Sequence, residues 1–169
     1  MRPGAGFRWY FAYGSNMNPA RLFGERMVGN GIEHGRRLPA SLPGWRLAFN
    51  KPWSRFDGAG AANIVRDAAA VVHGTINELP EAGFDVLDRY EGVAGGHYIR
   101  ADVMVLDGEG QNTTAMTYVS RYRLTEGLKP ACAYLAHLLA GRDLLPADYY
   151  EVLTKTPCIS DIAEKPLIP

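Results

Sequence analysis

The chain has 169 residues, 47% apolar and 21% charged, enough apolar material for a packed core and too much for a disordered tail. Eighteen Lys and Arg balance eighteen Asp and Glu for a formal net charge of zero, which removes the electrostatic footprint of a nucleic-acid binder. Nineteen Gly and eleven Pro exceed the average share of about 12%, so many turns and a strand-rich fold with short connections are expected.

In chain order, Arg8–Tyr13 is aromatic-rich and reads as a strand that stops at Gly14. Asn18-Pro19-Ala20-Arg21-Leu22 reads as a helix start, with Asn at the N-cap and Pro at the first helical position. Trp45–Asn50 reads as a strand that follows a Leu42-Pro43-Gly44 turn, and Pro52–Gly60 as a loop with the character of a lid. Ala61–Val65 and Ala69–Leu79 read as two further strands. Over Pro80–Tyr90 the apolar period becomes helical, with Phe84, Leu87 and Glu91 on one face and Gly92 placed to end the helix. Tyr98–Leu106 and Thr113–Ser120 form a predicted hairpin around Asp107-Gly108-Glu109-Gly110. Pro130–Ala140 and Ala147–Thr154 read as helices, followed by an irregular tail. The order predicts an α+β fold with a rolled, mainly antiparallel sheet or barrel and packed helices, as one domain over 1–169 with its core at about 8–156 and the tail at 157–169.

Several chemistries have no motif. His34, His73, His97 and His137 are isolated and match no metal-ligand spacing. No GxSxG, Walker-type loop or complete GxGxxG occurs, which disfavours a triad hydrolase and a nucleotide-binding enzyme. Cys132 and Cys158 match no metal spacing, and the expectation is reduced thiols in a reducing compartment. No leader-like stretch opens the sequence and no apolar run reaches the roughly 18 residues that span a bilayer, so a cytoplasmic location is expected.

Two constellations can carry chemistry. Tyr13-Gly14-Ser15-Asn16 lies between a strand and a helix start, and a positive φ at Gly14 would let the following N–H groups converge on a carboxylate or a developing oxyanion. The same residues also make an ordinary turn. Glu91 ends a helix, where the dipole disfavours its charge and the Phe84–Leu87 face adds desolvation, the tuning that a general base near neutral pH requires. A solvated acid at a helix end fits those residues as well, and Asp85 and Asp88 read as solvated charges.

Taken together, these residues resemble a known family. Phe11-Ala12-Tyr13-Gly14-Ser15-Asn16-Met17 is similar to the YGSN signature of the gamma-glutamylcyclotransferase family (the AIG2/BtrG-like fold), and Leu87-Asp88-Arg89-Tyr90-Glu91-Gly92-Val93 resembles the helix end that carries its catalytic glutamate. Tyr98 and Tyr118 follow in order, Lys129-Pro130-Ala131-Cys132-Ala133-Tyr134-Leu135 resembles a later helix start with Ala131 in place of the usual Ser, and Leu145-Pro146-Ala147-Asp148-Tyr149 resembles the final segment. The resemblance implies a metal-independent cyclisation without a cofactor. The substrate's α-amine attacks its own γ-glutamyl carbonyl, releasing 5-oxoproline and an amino acid or amine, with the intramolecular attack favoured by high effective molarity. It implies Glu91 as the proton acceptor and donor. Tyr13, Gly14, Ser15, Asn16, Met17, Tyr98, Tyr118 and Tyr134 are implied as substrate-binding residues. Trp45, Trp53 and Phe56 either border the cavity or simply pack. The expected partner is a small γ-glutamyl molecule, with no nucleic acid and no membrane; a homodimer is compatible with the sequence. The alternatives are a same-fold enzyme on another acyl or amine substrate, and a non-catalytic small-molecule binding domain.

Overall fold

The aromatic run at Arg8–Ala12 forms strand β1, buried except at Arg8. In the computed structural model, which describes residues 1–53 and 58–160, β1 joins β2 (Arg37–Pro52), β3 (Gly60–Leu79), β4 (Ile99–Asp107) and β5 (Asn112–Val119). They close into a barrel in the order β1-β3-β2-β4-β5. Every pairing is antiparallel except the β1–β5 closure, which is parallel at Tyr10↔Met116. The expected rolled sheet is thus a closed one.

The expected strands at Trp45–Asn50, Ala61–Val65 and Ala69–Leu79 are parts of two long strands, not separate elements. β2 runs straight through the Leu42-Pro43-Gly44 segment. The register jumps there from Pro43↔Val71 to Trp45↔Arg66, and Gly44 takes φ +77°. A proline without an N–H and a left-handed glycine together form an irregularity that the ladder passes through. At that bend the Arg66 guanidinium lies 4.0 Å over the Trp45 ring, so Trp45 packs against the barrel's own side chains.

Helix α1 (Glu81–Glu91) ends as its sequence predicts: Gly92 sits at φ +65° and its N–H bonds the carbonyls of Arg89 and Asp88. The predicted helix after Asn18 is π-helical over Ala20–Met27, and the Asn18 Oδ1 accepts from the Ala20 and Arg21 N–H groups. α2 (Cys132–Leu139) and α3 (Ala147–Thr154) come after the hairpin.

The expectation of two reduced thiols is overturned. Cys132 and Cys158 form a disulfide, their Cα atoms 5.0 Å apart. The reason is a local pairing that the sequence separation hides: Ala131 and Ile159 bridge in parallel beside it, which brings the post-α3 segment against the start of α2. That part of the tail is therefore fastened to the domain; residues 161–169, and Phe56 with the centre of the expected lid, lie outside the described residues. No helix among the described residues is long and apolar enough to cross a membrane.

Strand direction decides which chain ends meet. Because β1 and β5 run parallel and β4 antiparallel to them, the end of β1, the end of β5 and the start of β4 emerge on one side of the barrel. On the opposite flank, Glu78 is buried and accepts 2.8 Å bonds from the Gly4 and Arg36 N–H groups and a 2.6 Å bond from the Arg36 guanidinium. The Arg36 hydrogen bond, aided by the backbone donors and opposed by burial, lowers its pKa from 4.5 to about 2. A carboxylate depressed in the folded state stabilises the fold above its ordinary value and loses that contribution as pH falls toward 2. Urea-unfolding midpoints should therefore drop between pH 4.5 and 2, and Glu78→Gln should flatten that drop; an unchanged slope in the variant rules the ion pair out as its source.

Candidate active site

Ten residues enclose a cavity at that end of the barrel: Tyr10, Tyr13, Gly14, Ser15, Asn16, Ala62, Glu91, Tyr98, Tyr118 and Tyr134, with about 300 Å³ of open space including the mouth. The structure brings together every sequence-predicted site residue except Met17. Met17 is fully buried under Gly141 and its N–H is spent on the Gly14 carbonyl, so it belongs to the core. Ser15–Met17 is a single 3₁₀ turn; among the described residues the Ser15 and Asn16 N–H groups carry no partner.

Gly14 does not have the positive φ expected of it; it sits at φ −118°. Its need for glycine comes from close approach, since a Cβ there would lie 3.1 Å from the Ala62 Cβ and 3.4 Å from the Tyr134 hydroxyl.

Glu91 ends α1 at the cavity wall with its side chain 17% exposed. Its Oε1 accepts 3.0 Å from the Arg26 guanidinium and 3.3 Å from the Asn16 Nδ2. Asn16 thus ties the acid to the Tyr13–Asn16 turn, and its Oδ1 is buried with no partner among the described residues. Arg26 is a contact of the candidate acid that sequence reasoning missed. It projects from the π-helical segment, is 5% exposed at its side chain, and stacks on the Tyr90 ring at 4.6 Å. The one available signal was its i+4 position from the buried Leu22. Glu91 is therefore a paired carboxylate, where the sequence predicted an unpaired, desolvated one.

Five tyrosines surround it, and burial raises the pKa of each; the Glu91 charge adds to the rise at Tyr10, Tyr13, Tyr98 and Tyr134. All five therefore stay protonated at neutral pH. Their hydroxyls divide by hydrogen bonding. Tyr13 donates to the Tyr118 carbonyl at 2.6 Å, Tyr98 to the Ala62 carbonyl at 2.8 Å, and Tyr118 to Asp88 Oδ1 at 2.7 Å. Tyr134 accepts from the Ala62 N–H at 3.0 Å and Tyr10 accepts from Asn16 Nδ2 at 2.8 Å, so these two keep a proton to offer. Tyr10 was not anticipated; it lies on β1 among residues buried on both faces, where alternation is silent.

Asp88, read from the sequence as a solvated charge, is instead bound by Arg100 Nε at 2.9 Å and by Tyr118. Burial opposes its ionised form, and those two bonds nevertheless hold its pKa below the usual value. The four histidines lie apart: His34 stacks on Phe23, His73 packs against Tyr149 and His97 against Tyr122, while His137 pairs with Asn18. Among the described residues no three His, Cys, Asp or Glu side chains gather as a metal site.

Known proteins share both the sequence pattern and the fold. The model of the AIG2-like family matches residues 71–153. The bovine gamma-glutamylcyclotransferase is 27% identical, over 85% of this chain and 76% of that protein. A solved gamma-glutamyl cyclotransferase structure superposes with a TM-score of 0.80 at 25% identity, covering 94% of this chain and 92% of the other. A human protein described as uncharacterized gives 0.80 at 25% identity, over 95% and 93%. In sequence and in fold the chain is similar to the gamma-glutamylcyclotransferases, and its residues 71–153 match the AIG2-like family.

Proposed function

We propose that the protein is a gamma-glutamylcyclotransferase, closing the γ-glutamyl group of an amino acid or amine conjugate to 5-oxoproline and releasing the remainder. The observation that carries this reading is the cavity shared by Glu91 and the Tyr13–Asn16 turn. Among the described residues Glu91 is the only carboxylate lining it, and the tyrosines around it are held protonated, so the acid is the group there suited to serve as the base.

In the proposed reaction the substrate's α-ammonium gives a proton to Glu91. The freed amine forms the new C–N bond at the γ-carbonyl carbon, the old amide C–N bond breaks as Glu91 returns the proton to the leaving nitrogen, and the second proton of the ring nitrogen passes by way of Glu91 to the released amine, which departs as its ammonium. Holding the substrate folded so that its own amine meets the carbonyl contributes to the acceleration. The Ser15 and Asn16 N–H groups and the Tyr10 and Tyr134 hydroxyls supply donors to the substrate's carboxylate and to the oxyanion. The orphaned Asn16 Oδ1 offers an acceptor for the ammonium. Tyr13, Tyr98 and Tyr118, their protons committed to the framework, shape the walls. A cytoplasmic site of action is part of the same proposal, and the Cys132–Cys158 bond is the feature that weighs against it.

Incubating the purified protein with γ-glutamyl dipeptides and γ-glutamyl amines should release 5-oxoproline; absence of release across the panel, with binding retained, would make it a binding domain instead. Gly14 supplies a graded check. Gly14→Ala needs its neighbours to yield by a few tenths of an ångström, whereas Gly14→Val drives a branched side chain onto Ala62 and Tyr134. The expected result is a KM little changed in the first and raised about tenfold or more in the second. Equal KM values in both would remove Gly14 from the binding surface.

A further inference from the structure

A wider cavity, about 820 Å³ of open space with its mouth, adjoins the tyrosine cavity, and Lys51, Trp53, Ala59, His97, Tyr122 and Arg123 form much of its lining. Among the described residues their linings have none in common, but they meet where one ring packs on another. Ala59 stands three residues before Ala62, His97 directly precedes Tyr98, and the Trp53 ring packs 5.3 Å from that of Tyr134. The second space is thus the neighbour of the Tyr134 side of the first.

Its chemistry is cationic and aromatic. The Lys51 ammonium and the Arg123 guanidinium lie 5.6 and 5.0 Å from the centre of the same Tyr122 ring. Lys51 is only 8% exposed, and its Nζ makes one long bond, 3.4 Å, to the Pro52 carbonyl. Among the described residues no carboxylate pairs with either cation. Burying an ammonium is costly, and burial lowers the Lys51 pKa accordingly. Arg123 is also the one non-glycine residue with positive φ among those described, at +47°. Such conformations concentrate where a side chain is held toward a ligand. Nothing in the cyclisation chemistry uses Lys51 or Arg123.

We propose that this cavity is the leaving-group subsite of the cyclisation, an inference that rests on the proposed function: Lys51, seconded by Arg123, receives a carboxylate carried by the departing amine. The aromatic walls at Trp53 and Tyr122 accept the leaving side chain. Lys51 is then a specificity-determining residue, and conjugates whose leaving amine is an amino acid are preferred over those of plain alkylamines.

Two substrates isolate the carboxylate: γ-glutamyl-alanine and γ-glutamyl-ethylamine, whose leaving amines differ by that group alone. With the wild type, kcat/KM for 5-oxoproline release should favour the alanine conjugate by about tenfold or more, the scale of one charge-assisted hydrogen bond. Lys51→Met keeps the stem's volume and should reduce that ratio about tenfold, mainly through KM, and Arg123→Gln at its exposed position should reduce it about threefold. A structural role for Lys51 would lower both substrates alike and leave the ratio intact, which overturns the subsite, as does a wild type indifferent to the carboxylate. Should Lys51→Met not fold, the wild-type ratio and Arg123→Gln decide. A wild type that releases 5-oxoproline from neither conjugate overturns the proposed function, and the subsite with it.

Discussion

Replacing Glu91 with glutamine should lower 5-oxoproline release by about 10²-fold or more while the fold persists, the loss typical of a missing acid–base group. Glutamine keeps the shape and can still accept the Arg26 and Asn16 hydrogen bonds at its amide oxygen, so the cavity and the substrate's binding donors stay in place. What disappears is a group able to take the ammonium proton, and none of the surrounding tyrosines can replace it, because burial, the largest cause of their raised pKa, persists in the variant and keeps them protonated. The loss should fall mainly on kcat. A circular-dichroism melt verifies the fold, and turnover within a few-fold of wild type in a folded variant would show that another group moves the proton.

How much of this could be read from the chain depends on how local each determinant is. α3 has the predicted bounds Ala147–Thr154, and α1 with its Gly92 stop is displaced by one residue, because periodicity and a left-handed glycine act over a few neighbours. The first half of β2 was invisible. Arg37-Leu38-Pro39-Ala40-Ser41-Leu42-Pro43 has two prolines and no β-branched residue, and it is a strand because β3 offers it a partner over that whole length. The site divides in the same way. The Tyr13–Asn16 turn and Glu91 are short motifs and were legible, and so were Tyr98, Tyr118 and Tyr134 through the resemblance. The identity of the hydroxyls that retain a proton depends on Ala62 and Asn16, contacts that only the closed barrel creates. Gly14 lines the cavity without the positive φ expected of it, since crowding by a residue 48 positions away leaves no mark on local sequence. The disulfide has the same origin, two distant cysteines joined by the pairing of Ala131 with Ile159.

Arg26 is the most consequential of these long-range contacts, and its removal has the second large expected effect. The guanidinium stands 3.0 Å from Glu91 Oε1 with both side chains mostly buried, and 65 residues separate the partners. Arg26→Met strips a countercharge from an acid in a dry tyrosine cavity. Removing one member of a buried pair typically costs about 3–5 kcal/mol, and the 17% exposure of Glu91 places this case toward or below the lower figure. The remaining carboxylate is then held by Asn16 alone, at 3.3 Å, and a loosened acid should cut turnover about tenfold even at temperatures where the variant is fully folded. Arg26→Lys, which keeps the charge but loses the planar fork and the stacking on Tyr90, should recover part of the stability and less of the rate. A double-mutant cycle separates this from ordinary packing loss. If Arg26 acts through Glu91, its substitution should destabilise the Glu91→Gln background markedly less than the wild type, a coupling of about 1–3 kcal/mol. Additive melting shifts would mean that Arg26 supports the π-helical segment alone, and that the acid is positioned from α1 and Asn16 without it.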